Sequence, residues 1–249
     1  MSFVEKNFSE PIRHNPYLHK IVINYLQTQK QGAVLDLPSG PGYLVRDLQA
    51  LGFQGVAGEI DESLHCLTGV DYKKINMTER FDFNDESFSY VVSVEGIEHI
   101  ENHFAFLREA RRVLKKNGQL VLTTPNILSL GSRWNYFWSG FHTMASSPIP
   151  VASPNMYFEH INPISLNQLY FSFAKANLKI EKILTHRYRA SSKIWYYLFY
   201  PLIWFSTYRA CFIREKSAQN RAANRDLFKF LMSKENLLGT HTIIIANAI

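Results

Sequence analysis

At 249 residues, 46% of them hydrophobic and 19% charged, the chain is long enough to bury a substantial core as one doubly wound α/β domain with insertions, and it carries no internal repeat or low-complexity segment. Its two cysteines, Cys66 and Cys211, form no CxxC pair, which excludes a structural zinc site and fits a reducing compartment. The net charge of +6 is uneven, with ten Lys/Arg against three acids from His186 onward and 17 basic against 18 acidic residues before it, so an anionic partner is expected at the late segment.

Residues 2 to 10 carry charges and no apolar run, so they do not read as a secretory leader, and a cytoplasmic location is expected. The first 30 residues are expected to form a cap, with a helix over Pro16–Gln29 whose Leu18, Ile21, Val22, Tyr25 and Leu26 recur at helical spacing. Strands are predicted at 33–37, 55–59, 70–75, 88–94 and 119–124, separated by helices at 43–51, 61–67 and 104–114. That alternation implies a parallel sheet with right-handed crossovers. Pro125–Pro163 is too long and aromatic for a simple connection and reads as a lid or acceptor insertion. A helix at 164–177 and a strand at 178–185 follow. A second, basic and aromatic insertion, 186–238, precedes a last strand at 240–246.

Asp36-Leu-Pro-Ser-Gly-Pro-Gly42 lies between a strand and a helix, where glycines admit a ligand to the backbone and the helix start offers free N–H groups. It lacks the Gly-Lys-Ser/Thr of a phosphate loop and the GxGxxG of a dinucleotide fold. Glu59 ends the second strand 23 positions after Asp36, where a carboxylate can accept both hydroxyls of a ribose. Together VLDLPSGPG, this acid, FNDESFSYVVSVEGIEHI and LREARRVLKKNGQLVLTTPN resemble successive motifs of class I S-adenosylmethionine-dependent methyltransferases over about residues 33–126. The resemblance implies a Rossmann-like seven-stranded sheet, mostly parallel with one antiparallel strand, plus the two insertions, in a single methyltransferase domain spanning 1–249. It places Asp36, Gly40 and Gly42 against the methionine part of S-adenosyl-L-methionine, Glu59 against the ribose, Asn76 or Met77 where the family often has an acid facing the adenine, and Ser93 among the donor-binding residues. Pro38 replaces the first glycine of the usual loop.

After the fourth strand, Glu95, Glu98 and His99 stand at i, i+3 and i+4, so a helical turn would put all three on one face. His160 lies in the first insertion. Two carboxylates and two imidazoles make a divalent-metal set. The Glu-x-x-Glu-His motif with a distant histidine resembles the metal-dependent ubiquinone-biosynthesis O-methyltransferases and the small-RNA 2′-O-methyltransferases, which implies a magnesium, manganese or zinc ion on the acceptor side. Two alternatives stay open: a Glu-His pair that only orients the chain, and His99 or His160 as a metal-free general base, with Glu95 beside them in catalysis. His142 and Asn126 are further candidates to line the acceptor pocket.

Ile194–Tyr208 has eight aromatics and no charge in fifteen residues. It is shorter than the roughly 20 residues a span needs and is interrupted by Pro201. With basic flanks it suits a membrane surface, or a lid or oligomer interface. The expected activity is O-methylation of a hydroxyl on a lipid-linked, glycan or aromatic small molecule by an enzyme that is cytoplasmic or peripheral on the membrane. An RNA ribose 2′-O-methyltransferase ranks lower, because the basic residues mix with bulky aliphatics instead of forming a dense phosphate-binding run. A non-catalytic donor-binding accessory protein is the remaining alternative.

Overall fold

A computed structural model describes residues 15–143, 148–149 and 159–249. The leader reading of residues 2–10, the first half of the expected cap, and positions 144–147 and 150–158 of the first insertion lie outside the described residues.

The cap helix α1 (Pro16–Leu26) starts where Asn15 accepts a hydrogen bond from the Leu18 N–H and Pro16 fits the first turn. Its Leu18, Val22 and Leu26 are fully buried at intervals of four, the stripe its periodicity predicts. There follow β1 (Ala33–Asp36), α2 (Tyr43–Ala50), β2 (Gln54–Glu59), β3 (Asp71–Lys74), β4 (Phe88–Val94), α3 (His103–Val113) and β5 (Leu114–Pro125). The chain continues through α4 (Leu130–Ser139), α5 (Leu166–Lys175), β6 (Leu178–Leu184), α6 (Lys193–Tyr208), α7 (Ala218–Leu231), α8 (Lys234–Leu238) and β7 (His241–Ala248).

The strands form a seven-stranded sheet in the order β3-β2-β1-β4-β5-β7-β6. Four pairings are parallel, and one antiparallel pair makes the sheet mixed. β1 and β4 are buried along almost their whole length, as central parallel strands covered on both faces must be. The strand order reverses between them, and a ligand crevice is expected at their carboxyl ends.

The chain resolves into two compact units. The first comprises Met1–Thr124, Ser172–Lys182 and Ile244–Ile249, and the second Pro125–Phe171 and Ile183–Ile243. In the second unit Leu130, Met232, Leu237 and Leu238 form a small core against which Tyr196, Tyr200, Ile203 and Phe228 pack.

Several elements depart from the sequence reading. The helix expected at 61–67 is a single 3-10 turn, Glu62–Leu64. β5 begins at Leu114 because a register shift opposite Phe88 and Tyr90 absorbs Asn117, a non-glycine at φ 61°. The first insertion, read as a loop, contains α4, capped by the Ser129 side chain at one end and by Gly140 at φ 74° at the other. The second insertion is largely helical. Pro201 does not break α6, since its missing N–H lies on an exposed stretch where water can satisfy the orphaned carbonyl.

Candidate active site

The loop after β1 is tied down at both ends by backbone bonds, Leu37 N–H to Val92 O and Ser39 N–H to Gly58 O, both 2.9 Å. Within it Gly40 and Gly42 have φ of 50° and 90°, the left-handed region that glycine enters without a Cβ clash. Gly42 is the N-cap of α2 and has no side chain to cap it, so N–H groups of the first turn remain open to a ligand. A Cβ on Gly40 would meet no atom within 4 Å, so open space lies against the loop backbone.

Glu59, 6% exposed, accepts the Gly40 N–H at 2.9 Å on Oε2 and the Ile60 N–H at 2.8 Å on Oε1. A carboxylate offers about four acceptor sites, so with the Gly40, Ile60 and Asp61 N–H groups engaged it can still accept from a ribose hydroxyl. Burial pushes this carboxyl above its ordinary value against the pull of those backbone donors. Asp36, 2% exposed, is held well above the usual carboxylate range by burial and then by the charge of Glu59. Its Oδ1, like Ser39 Oγ and Ser93 Oγ, is buried and makes no hydrogen bond. Three unsatisfied oxygens around a glycine turn destabilise the free protein unless a ligand engages them. A ligand with a cationic group and vicinal hydroxyls fits this set.

Asn76 is half-buried and its amide is already engaged, with Oδ1 accepting from the Thr78 N–H and hydroxyl and Nδ2 donating to Glu79. Met77 is buried. Pro38 is accommodated by a residue the sequence reading missed: a Cβ at Gly96 would collide with the Pro38 ring and lie 3.1 Å from Ser93 Oγ.

A pH dependence follows from Asp36. Its folded-state value lies above the ordinary 3.8, so the ligand-free protein loses stability as pH rises from there through the raised value. A cationic ligand favours the ionised form, so its binding releases a proton below the raised value. Affinity should therefore climb with pH and level off above it, and Asp36→Asn should flatten the profile. Calorimetry across pH checks this, and a pH-independent wild-type affinity contradicts it.

At the end of β4 the expected arrangement needs correction. Glu95, Glu98 and His99 do not share one face of a helical turn: Glu95 adopts a left-handed φ of 53°, and only Ile97–His99 turn, as a 3-10 segment. Such a conformation at a non-glycine residue costs about 1 to 3 kcal/mol. The two carboxylates are instead positioned by adjacent threonines of β5. Thr123 Oγ1 accepts the Glu95 N–H at 3.1 Å and donates to Glu95 Oε1 at 3.4 Å, while Thr124 Oγ1 donates to Glu98 Oε2 at 3.0 Å. Glu98 is 1% exposed, its Oε1 makes no hydrogen bond, and burial followed by the charge of Glu95 pushes its carboxyl far up. These threonines were not singled out from sequence; the signal was the Thr-Thr pair directly after the apolar run Leu120–Leu122.

His99 is half-buried beside this pair, and the half-buried His160 belongs to the second unit, ahead of α5. The Glu98 carboxylate, with its open oxygen, and the neighbouring His99 imidazole have the donor chemistry of a divalent-cation site, a grouping that does not include Glu95.

Two further candidates serve packing. Asn126 is buried, its Nδ2 donating to the carbonyls of Asn236 and Gly239 at 2.7 and 3.0 Å and its Oδ1 accepting the Leu128 N–H. His142 stacks on Tyr136 at 4.5 Å and meets Ser132 Oγ at 3.2 Å.

A family model described as a methyltransferase domain matches residues 12–183. The ubiquinone biosynthesis O-methyltransferase of Parvibaculum lavamentivorans is 23% identical over 159 residues, covering 54% of this chain and 62% of that protein. A probable S-adenosylmethionine-dependent methyltransferase of Mycobacterium tuberculosis is 27% identical over 114 residues, covering 44% of this chain and 42% of that protein. The chain thus spans less than two thirds of either curated relative. Among solved structures, a SAM-dependent methyltransferase from Archaeoglobus fulgidus superposes with a TM-score of 0.56 at 17% identity, covering 92% of this chain and 94% of that one. With the glycine turn, the acid ending β2 and the seven-stranded order all in place, the chain belongs to the methyltransferase-domain family and has the class I methyltransferase fold.

Proposed function

We propose that the chain is an S-adenosylmethionine-dependent enzyme that methylates a hydroxyl oxygen of a small-molecule acceptor, lipid-linked, glycan or aromatic, and that a divalent cation assists. The observation that carries this reading is the Glu95–Glu98 pair, set at the end of β4 by Thr123 and Thr124 with one buried carboxylate oxygen left open. An alcohol ionises poorly at neutral pH, so its methylation gains from a cation held by such carboxylates. The name of the Parvibaculum relative, an O-methyltransferase, points the same way.

Asp36, Ser39, Gly40 and Gly42 would hold the methionine part of the donor and Glu59 its ribose, and the bound donor supplies an electrophilic methyl group. Glu95, Glu98 and His99 would hold the cation, which as a Lewis acid lowers the pKa of a nearby oxygen. The remaining work of the chain is to fix the acceptor oxygen in line with the methyl group and to accept its proton. His99 is the base available for that transfer.

The test uses a methyl-labelled donor with small-molecule, lipid and RNA fractions of a cell extract. A labelled small molecule or lipid that gains one CH₂ and loses one acetylatable hydroxyl is the expected product. Label confined to RNA, or a product that keeps every hydroxyl, overturns the proposal.

A further inference from the structure

We propose that exposed aromatic faces of α4 and α6 form one platform that seats the second unit on the surface of an anionic lipid membrane. This goes beyond the methyl-transfer chemistry and stands whatever the acceptor.

A helix on a globular surface normally turns charged residues outward. In α6 the inward side is supplied by Tyr196, Tyr200 and Ile203, packed on the small core of this unit. The outward side is also apolar: Ile194, Tyr197, Leu198, Leu202 and Phe205 are 72%, 75%, 61%, 66% and 59% exposed. From Ile194 to Tyr208 no charge interrupts it. α4 extends the same surface, because Trp134 stacks on Trp195 with ring centroids 5.4 Å apart, and Phe137 and Trp138 beyond it are 72% and 70% exposed. Contiguous apolar surface of this kind marks an interaction site.

Charge selects the partner. The second unit carries eleven Lys/Arg against four Asp/Glu, and Arg187, Lys193, Arg209 and Arg214, which bracket α6, are all exposed. A symmetric pair of chains docked through this face would bring two strongly positive units together. Anionic headgroups instead complement the basic rim, while tyrosine and tryptophan suit the lipid–water boundary with their polar edges wet. No helix among the described residues is long and apolar enough to cross a membrane, so the platform lies on the bilayer.

Flotation of the full chain with phosphatidylcholine vesicles, with and without phosphatidylserine, tests the proposal. The wild type should float with the anionic vesicles at low salt, be partly released by high salt, which screens the basic rim, and be fully released by detergent. Phe137→Ser/Trp138→Ser and Leu198→Ser/Leu202→Ser should each lower partitioning at least about tenfold. Arg209→Glu/Arg214→Glu should lower it on anionic vesicles alone, by at least about fivefold per charge. An unchanged circular dichroism spectrum and melting temperature identify the variants that remain folded. A wild type that does not float on anionic vesicles at low salt overturns the proposal. So does equal flotation of the folded platform variants, or a wild-type dimer in light scattering that the same variants dissociate.

Discussion

Glu98→Gln is expected to lower turnover by about a hundredfold while leaving S-adenosylmethionine binding close to wild type. Glutamine keeps an oxygen for the Thr124 hydroxyl but removes the negative charge and the open carboxylate oxygen that would face a cation. Losing a metal ligand removes Lewis-acid assistance outright, and even partners behind the ligands contribute about 10- to 100-fold. Collapse of the fold does not account for such a loss. Glu98 has its carboxyl raised above the ordinary 4.5 by burial and by Glu95, so its ionised form destabilises the free protein as pH rises above that value. A neutral glutamine should therefore match or exceed wild-type melting temperature at neutral pH. Exhaustive chelation should reproduce the loss of turnover, and added magnesium, manganese or zinc should restore it to the wild type alone. Full activity after chelation and in the Glu98→Gln and His160→Ala proteins contradicts the cation and leaves His99 as the general base.

Glu59→Ala is expected to weaken S-adenosylmethionine binding about tenfold or more. A hydrogen bond to a charged group contributes about 1.5 to 3 kcal/mol, and Glu59 would accept one from the ribose. The same carboxylate holds the Gly40 and Ile60 N–H groups, so its removal also loosens the glycine turn that meets the methionine part. Glu59→Gln separates the two effects: it keeps one acceptor for the ribose but turns an amide N–H toward a backbone N–H. Its affinity should fall between wild type and Glu59→Ala. Calorimetry on variants with an intact near-ultraviolet dichroism spectrum checks both.

The grouping of Asp36, Gly40, Gly42 and Glu59 was legible because it is local in sequence. Asp36, Gly40 and Gly42 fall within one strand–turn–helix unit and Glu59 closes the next strand, so spacing alone brings them near one another. The sheet was legible for the same reason, its first five strands alternating with helical patterns. The acceptor side was less so. Glu95, Glu98 and His99 have helical spacing, but the left-handed Glu95 and the 3-10 turn after it depend on Thr123 and Thr124, which come from a strand 28 and 26 positions later. A pattern within one segment cannot report bonds supplied by another. The helices of both insertions escaped for a different reason. α6 is apolar all round and interrupted by Pro201, so it lacks the one-sided stripe by which a surface helix is recognised. α4 carried a serine cap and a terminal glycine, and its aromatics obscured that signal.

The most direct test of the central claim is calorimetric titration of the folded wild-type chain with S-adenosylmethionine and with its demethylated product, S-adenosylhomocysteine. The account predicts one site for both ligands, weakened about tenfold or more by Glu59→Ala and strengthened with rising pH through Asp36. No binding of either ligand to the folded protein, or binding that neither Glu59→Ala nor Asp36→Asn alters, would contradict it.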